Sequence, residues 1–319
     1  MKKISILCLM LLGSIMITAQ HQIDSFFDEM GSVNLTTTQG SITSTSEYKT
    51  ITHRKDDVVW ARIVYRVIDM RFKQNYQLYT PVSPEDPQYK SLFRTMLTAI
   101  QNGMPVYEKS SDIGDIKPTF ALGPMPKEMI PTILNTDRTG ELGDGNIATS
   151  EYMLLNYDSI TDEMKFNGYS YRNFVRNQLK YMIQEVIFFD RHYSRLFKKI
   201  IAIAPMNADN ASFYEGMPIM EALYGQILFW VPFDAFRPYM AKQNMTPKKN
   251  DNQRITYDDF FEQRKYSSYL VGASNVYNRM IPDLVSPQLT GDELREAIKK
   301  EQDRLENELL NVEQDIWEY

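Results

Sequence analysis

One cysteine, three histidines and fourteen glycines in 319 residues leave little material for the commoner kinds of site chemistry. The cysteine, Cys8, sits in an N-terminal apolar run, Ile4 to Ile17, that follows Lys2 and Lys3. That run is roughly 14 residues long, too short to span a bilayer comfortably, and Thr18-Ala19 supplies small residues just after it. The pattern is that of a secretory signal over residues 1–19, with cleavage expected after Ala19. Leu7 stands before Cys8 where a lipid-modification box needs small residues, which argues against lipidation. Cleavage then removes the only thiol, so the mature chain can form no disulfide and has no cysteine nucleophile or cysteine metal ligand. His21, His53 and His192 are scattered, with no HExxH or HxH spacing to suggest zinc. No GxSxG elbow and no GxxxxGK loop is present; Gly140, Gly143 and Gly145 form a glycine-rich turn without a βαβ frame.

Basic charge is also in short supply. Lys and Arg total 35 against 41 Asp and Glu, a net charge of −6 that becomes −8 when Lys2 and Lys3 are lost. Such a balance gives no electrostatic reason to bind nucleic acid. Beyond Ile17 no apolar run reaches membrane length, so the mature chain is expected to be soluble or peripheral. What the sequence has in quantity is aromatic and adaptable apolar surface: 20 Tyr, 16 Phe, 3 Trp and 18 Met. These side chains suit protein–protein contacts, and equally a Tyr-rich core.

About 300 mature residues can bury a large core. Residues 20–55 are Ser/Thr-rich and poor in apolar anchors, and read as an extended or disordered arm. The segment Asp56–Pro81 carries Arg62, Arg66, Asp69 and Lys73 at spacings of 4, 3 and 4, opposite Val59, Ile63, Val67 and Met70. The spacing predicts a helix, followed by a Tyr-rich strand from Tyr76 to Pro81; a strand fits less well, because it would put Arg62, Val64 and Arg66 on one face. A second helix is predicted from Gln88 to Gln101, stopped by Asn102-Gly103, with a strand after Pro105. Residues 112–162 read as long loops. Two apolar runs, Tyr181–Phe189 and Leu196–Ala204, flank Asp190–Ser194 and predict an antiparallel hairpin. Pro232 is placed to open a helix, and Thr256 to cap one that begins near Tyr257. The chain ends in an amphipathic helix from Asp292 to about Trp317, whose seam of Leu294, Ile298, Leu305, Leu309, Val312 and Ile316 is broken at Glu301 or Gln302. Packing on its own domain is favoured over an intersubunit contact. The class is therefore α+β, with residues 56–290 as the core and 291–319 as the C-terminal helix.

Catalytic constellations are thin. Asp144-Gly145-Asn146-Ile147 with Glu151 matches the second half of a calcium loop, but Gly140 and Leu142 stand where the first ligands belong, so a plain acidic loop is favoured. Asp56-Asp57 and Asp258-Asp259 are sequence neighbours, which does not make an acid/base pair. Lys248-Lys249 could meet an acidic partner or simply face solvent.

Several pieces of the chain, in order, resemble the gliding-motility protein family GldN/PorN. They are Val58-Val59-Trp60 with Val67-Ile68-Asp69-Met70-Arg71 and Leu78-Tyr79-Thr80-Pro81; Ser91-Leu92-Phe93-Arg94; Leu228-Phe229-Trp230-Val231-Pro232; Phe236-Arg237-Pro238; Asn250–Arg254 with Tyr257–Phe261; Ser267-Ser268-Tyr269; Ser274–Tyr277; and Asp315–Tyr319. The resemblance covers most of residues 56–319 and is weakest at 105–165. It implies a non-enzymatic periplasmic subunit of the type IX secretion and gliding apparatus, associated with the outer membrane. It further implies a ring of self-contacts built with a GldK/PorK-like lipoprotein, contact with a GldM/PorM-like motor protein, and no cofactor. Aromatic and arginine residues dominate interface energetics, so the expected partner-binding residues are Trp60, Arg62, Tyr65, Arg66, Phe236, Arg237, Tyr266, Tyr269, Tyr277 and Trp317. The alternatives are a secreted enzyme such as a glycan hydrolase, or a secreted adhesin or cargo protein.

Overall fold

The computed structural model describes residues 36–39, 49–84, 86, 88–110, 115–134, 136–137, 165–166, 168–208, 219–247, 255–274, 280–286 and 289–317. The expected signal segment 1–19, the calcium-like loop, Lys248-Lys249 and Tyr277 lie outside these residues. The arm contributes a two-stranded antiparallel pair, β1 (Thr36–Gln39) and β2 (Lys49–Thr52).

The centre of the fold is an antiparallel sheet. Its long strands are β3 (Val58–Asp69), β4 (Leu179–Asp190) and β5 (Arg195–Asn207); β6 (Val231–Pro232) and β7 (Tyr269–Ala273) lie at the edges, in the order β6-β5-β4-β3-β7. Strands β4 and β5 form the predicted hairpin. Its turn is held by the Asp190 carboxylate, which accepts the backbone N–H of His192 at 2.8 Å and of Tyr193 at 3.2 Å.

The structure corrects the helix expected at the start of the core. Val58–Asp69 is a twelve-residue strand, and the expected strand at Tyr76–Pro81 is instead a short helix, Tyr76–Tyr79. The β-branched residues Val58, Val59, Ile63, Val64, Val67 and Ile68 favour the extended form, where their stiff χ1 fits the pleat. The feature that argued against a strand is real. Trp60, Arg62, Val64, Arg66 and Ile68 alternate onto one face, and Ile63, Tyr65 and Val67 onto the other. The helical periodicity arose because both faces of this strand are covered, one of them partly by charged partners, which blurs the two-residue pattern.

The face carrying Tyr65 packs with Met182, Val186, Phe188, Ala202, Ala204 and Trp230 in one apolar cluster. The opposite face is covered in two parts. Ile68, Tyr181, Ile183 and Ile203 lie under a layer that includes helices α1 (Leu92–Gln101), α2 (Phe233–Lys242) and α3 (Tyr257–Glu262). Val64, Ile187, Leu270 and Ala273 lie under α4 (Ile281–Leu284) and the long C-terminal helix α5 (Gly291–Trp317). With helices on an antiparallel sheet, the chain is α+β, as expected.

Local caps follow the sequence. Ser91 Oγ accepts the Arg94 N–H at 3.3 Å to open α1, and Thr256 and Asp259 form a reciprocal capping box on α3. Pro232 precedes α2 as its cap residue. Gly225, at φ +110°, lies so close to the Asn207 carbonyl that an added Cβ would stand 2.4 Å from it. Any side chain there would force the edge of the sheet apart.

Candidate assembly surface

The seam where α5 lies on the sheet combines apolar contact with a charged rim. Ile298 and Leu305 are the helix residues buried against Val64, Ile187 and Leu270; Leu294, Ala297 and Leu309 pack around them with Trp60 and Leu196 from the sheet. Arg62 Nη1 donates to Glu308 at 2.8 Å, and Arg66 Nη1 to Glu306 at 3.4 Å. The arginines that disguised β3 as a helix are thus the sheet's half of an arginine–glutamate rim. The break in the seam is also accounted for. Gln302 points its amide at the edge strand and donates to the Leu270 carbonyl at 2.7 Å. A leucine there would have continued the stripe and left that acceptor without this donor.

Between the two halves of this sheet face sits Glu185, 1 % exposed, in a strand almost wholly buried. A carboxylate so placed must be neutralised. Arg264 Nη1 donates to it at 2.6 Å, the Tyr266 hydroxyl donates at 3.2 Å, and Arg66 Nε stands 3.4 Å away. Burial pushes the Tyr266 hydroxyl far above its ordinary value, and the neighbouring Glu185 charge adds to the rise. Burial works against the Arg264 charge, yet Glu185 outweighs it and holds the guanidinium firmly protonated. Arg66 therefore spans two carboxylates, the buried Glu185 and Glu306 on α5. A β-bulge at this point lets Gln184 and Glu185 pair with Ala202 and Ile200, skipping Ile201.

The expected partner-binding residues divide by burial. Trp60, Arg62 and Arg66 are half-buried along the α5 seam. Tyr269 is half-buried on the opposite face, its ring 5.6 Å from Tyr224 and 6.4 Å from Phe72. Tyr65 and Phe236 are fully buried, and Tyr65 accepts a hydrogen bond from Gln184 Nε2 at 3.1 Å. Tyr266 belongs to the Glu185 group just described. Arg237, 7 % exposed, grips Asp258 with two hydrogen bonds of 2.8 and 3.2 Å and approaches Glu262 at 3.4 Å. Burial, with Asp258 close by, keeps the Glu262 carboxyl above its usual range even beside this arginine. Trp317 belongs to the last turn of α5.

Sequence reasoning missed three polar anchors. Glu185 was visible as a lone charge in an apolar run. Gln302 was visible as a break in a heptad-like seam. His53 gave no signal: its Nδ1 lies 2.5 Å from Asp190 Oδ2 in a buried site, ringed by Phe188, Tyr193 and Phe197, and ties the segment after β2 to the hairpin turn. Among the described residues no group of three or more His, Cys, Asp or Glu is placed to hold a metal ion, and no helix is long and apolar enough to cross a membrane.

Comparison with protein families matches the chain to the model for gliding motility associated protein GldN over residues 53–318. The chain belongs to the GldN family. The match begins at His53, the residue that clamps the arm to the core, and runs through the whole of α5. This GldN-family chain is accordingly a component of the gliding-motility and type IX secretion apparatus, a structural one by family. A search of curated proteins returns no match.

Proposed function

We propose that this GldN-family protein is a non-enzymatic periplasmic building block that forms a ring with a GldK/PorK-like lipoprotein beneath the outer membrane. In that position it also meets a GldM/PorM-like motor protein. The observation that supports this reading is the seam of α5. Beyond the buried Ile298 and Leu305, its charged rim reaches the surface, and Leu310 stands 55 % exposed. Trp60, Arg62, Arg66, Tyr269, Tyr277 and Trp317 are the proposed contact residues. Tyr65, Phe236, Arg237 and Tyr266 act from inside, by holding the sheet and the helices in the shape that presents the contact surface. Closure of a ring needs two different complementary surfaces on each copy.

A C-terminal tag, mild solubilisation of the envelope and sizing of the native complex test the proposal. A megadalton species with stoichiometric lipoprotein is expected. A lone species near the mass of one chain would overturn the reading.

A further inference from the structure

Beside α5 the surface opens into a groove lined by Arg66, Ile187, Leu196, Lys198, Glu306 and Leu309, with Leu310 at its lip. Its volume is ≈ 210 Å³, below the roughly 300–1,000 Å³ of sites that enclose a whole small molecule, and of a size to take one or two side chains. The floor is apolar: Ile187 and Leu196 come from the hairpin and Leu309 from the helix. The charges around it are unequal. Arg66 and Glu306 answer one another across the groove, whereas Lys198 is exposed and makes no ion pair among the described residues. The site therefore asks for an apolar group carried next to a carboxylate.

The chain holds such a segment in the last turn of α5, where Ile316 and Trp317 follow Asp315. It cannot serve its own groove. The helix runs unbroken from the groove at Leu310 to Trp317, which carries the last turn about 10 Å further along the axis. Turning back would mean unwinding the helix. A second copy has no such constraint.

We infer that the last turn of α5, Asp315–Trp317, docks in the groove of a neighbouring copy, its apolar residues against Ile187, Leu196, Leu309 and Leu310 and its carboxylate on Lys198. Donor and acceptor surfaces differ, so a one-way contact is head-to-tail and propagates into a ring or a filament, whereas reciprocal exchange closes a dimer. This deepens the assembly reading by naming the self-contact. It is tested on the isolated protein, so its failure leaves the lipoprotein partnership standing, and failure of the native-complex experiment leaves self-association standing.

The test is complementation. Leu310→Asp spoils the groove and leaves the tail; Trp317→Ala spoils the tail and leaves the groove. Analytical ultracentrifugation of the processed protein is expected to show association that rises with concentration in the parent and falls at least about tenfold in each variant, equivalent to about 1.4 kcal/mol. Mixed in equal amounts, the two variants have one intact groove and one intact tail that meet, so a heterodimer forms and nothing larger. If Trp317→Ala lowers Tm, Asp315→Lys replaces it as the tail variant with the same expected outcomes. A parent that stays monomeric throughout, a variant that associates like the parent, or a mixture that stays monomeric would each overturn the inference.

Discussion

Arg237 and Arg62 look alike in the sequence, each an arginine beside an aromatic residue or one turn from it, and the fold uses them in opposite ways. Arg237 lies between α2 and α3, 7 % exposed, with both ends of its guanidinium fork on Asp258, whose own exposure is 0 %. Arg62 stands on the rim of the sheet, its side chain 25 % exposed and its partner Glu308 41 % exposed. The first pair has been taken out of water; the second keeps part of its hydration. Geometry hardly separates them, since both make hydrogen bonds of 2.8 Å. Solvent access does, because screening by water sets how much a charge pair contributes to folding.

The largest effect is therefore expected inside. Arg237→Ala strands the Asp258 charge in a dry site, and a loss of about 3–5 kcal/mol is expected from breaking one side of a buried pair. Denaturant unfolding of the purified protein checks this. The double replacement Arg237→Met with Asp258→Leu removes both charges and should recover most of the loss. If the single and the double variants are equally unstable, the pair is not the reason, and packing of the arginine stem is.

Leu305→Ala comes next. Leu305 is, among the described residues, one of two α5 side chains buried against the sheet, and truncating such a residue costs about 2–5 kcal/mol. The lower end is expected because the site lies at an edge that can collapse. Hydrogen exchange should show the loss as local opening of α5 while β3, β4 and β5 stay protected. Uniform loss of protection across the sheet would mean that α5 is integral to the central core and not a cover laid upon it.

How much of this was legible depends on whether a residue's environment is set by its neighbours in the chain or by distant ones. The hairpin, the caps at Ser91 and Thr256, the Pro232 start and the extent of α5 were all readable, because each rests on local chemistry within a few residues. Strand β3 was not. Its character depends on covers from distant parts of the chain, α5 among them more than two hundred residues away, and a sequence window reports only the resulting mixture of polar and apolar side chains. The same holds within the candidate surface. Burial of Arg237 follows from Asp258, 21 residues on, and no pattern in Phe236-Arg237-Pro238 distinguishes it from the part-exposed Arg62. Glu185 and Gln302 left traces as residues out of place in otherwise regular patterns, and such interruptions proved more informative than the patterns themselves.

Gln302→Ala tests one of those interruptions. It removes the donor to the Leu270 carbonyl on the edge strand, and a loss of about 1 kcal/mol is expected for a part-buried hydrogen bond. Thermal unfolding provides the value. Gln302→Leu should be no better, although leucine completes the apolar seam, because the carbonyl still loses its partner. A leucine variant more stable than the parent would mean that the seam, not the edge strand, governs this position.

The smallest expected effect on folding belongs to Arg62→Ala, and it sharpens the contrast with Arg237 most directly. A part-exposed pair contributes about 0–1 kcal/mol, so Tm should scarcely move. Glu308→Ala and the double variant complete a thermodynamic cycle, and their coupling should fall within the same small range and shrink as salt is raised. Glu308 also approaches Arg304 at 3.6 Å, so part of its contribution survives the loss of Arg62 and the coupling should be smaller than either single effect. Against that small cost, the same replacement should weaken the native complex measurably if Arg62 meets a partner, since docking would exclude the water that now screens it. An Arg62→Ala protein that loses stability as severely as Arg237→Ala would place both arginines in the same structural role and erase the distinction between core pair and surface pair.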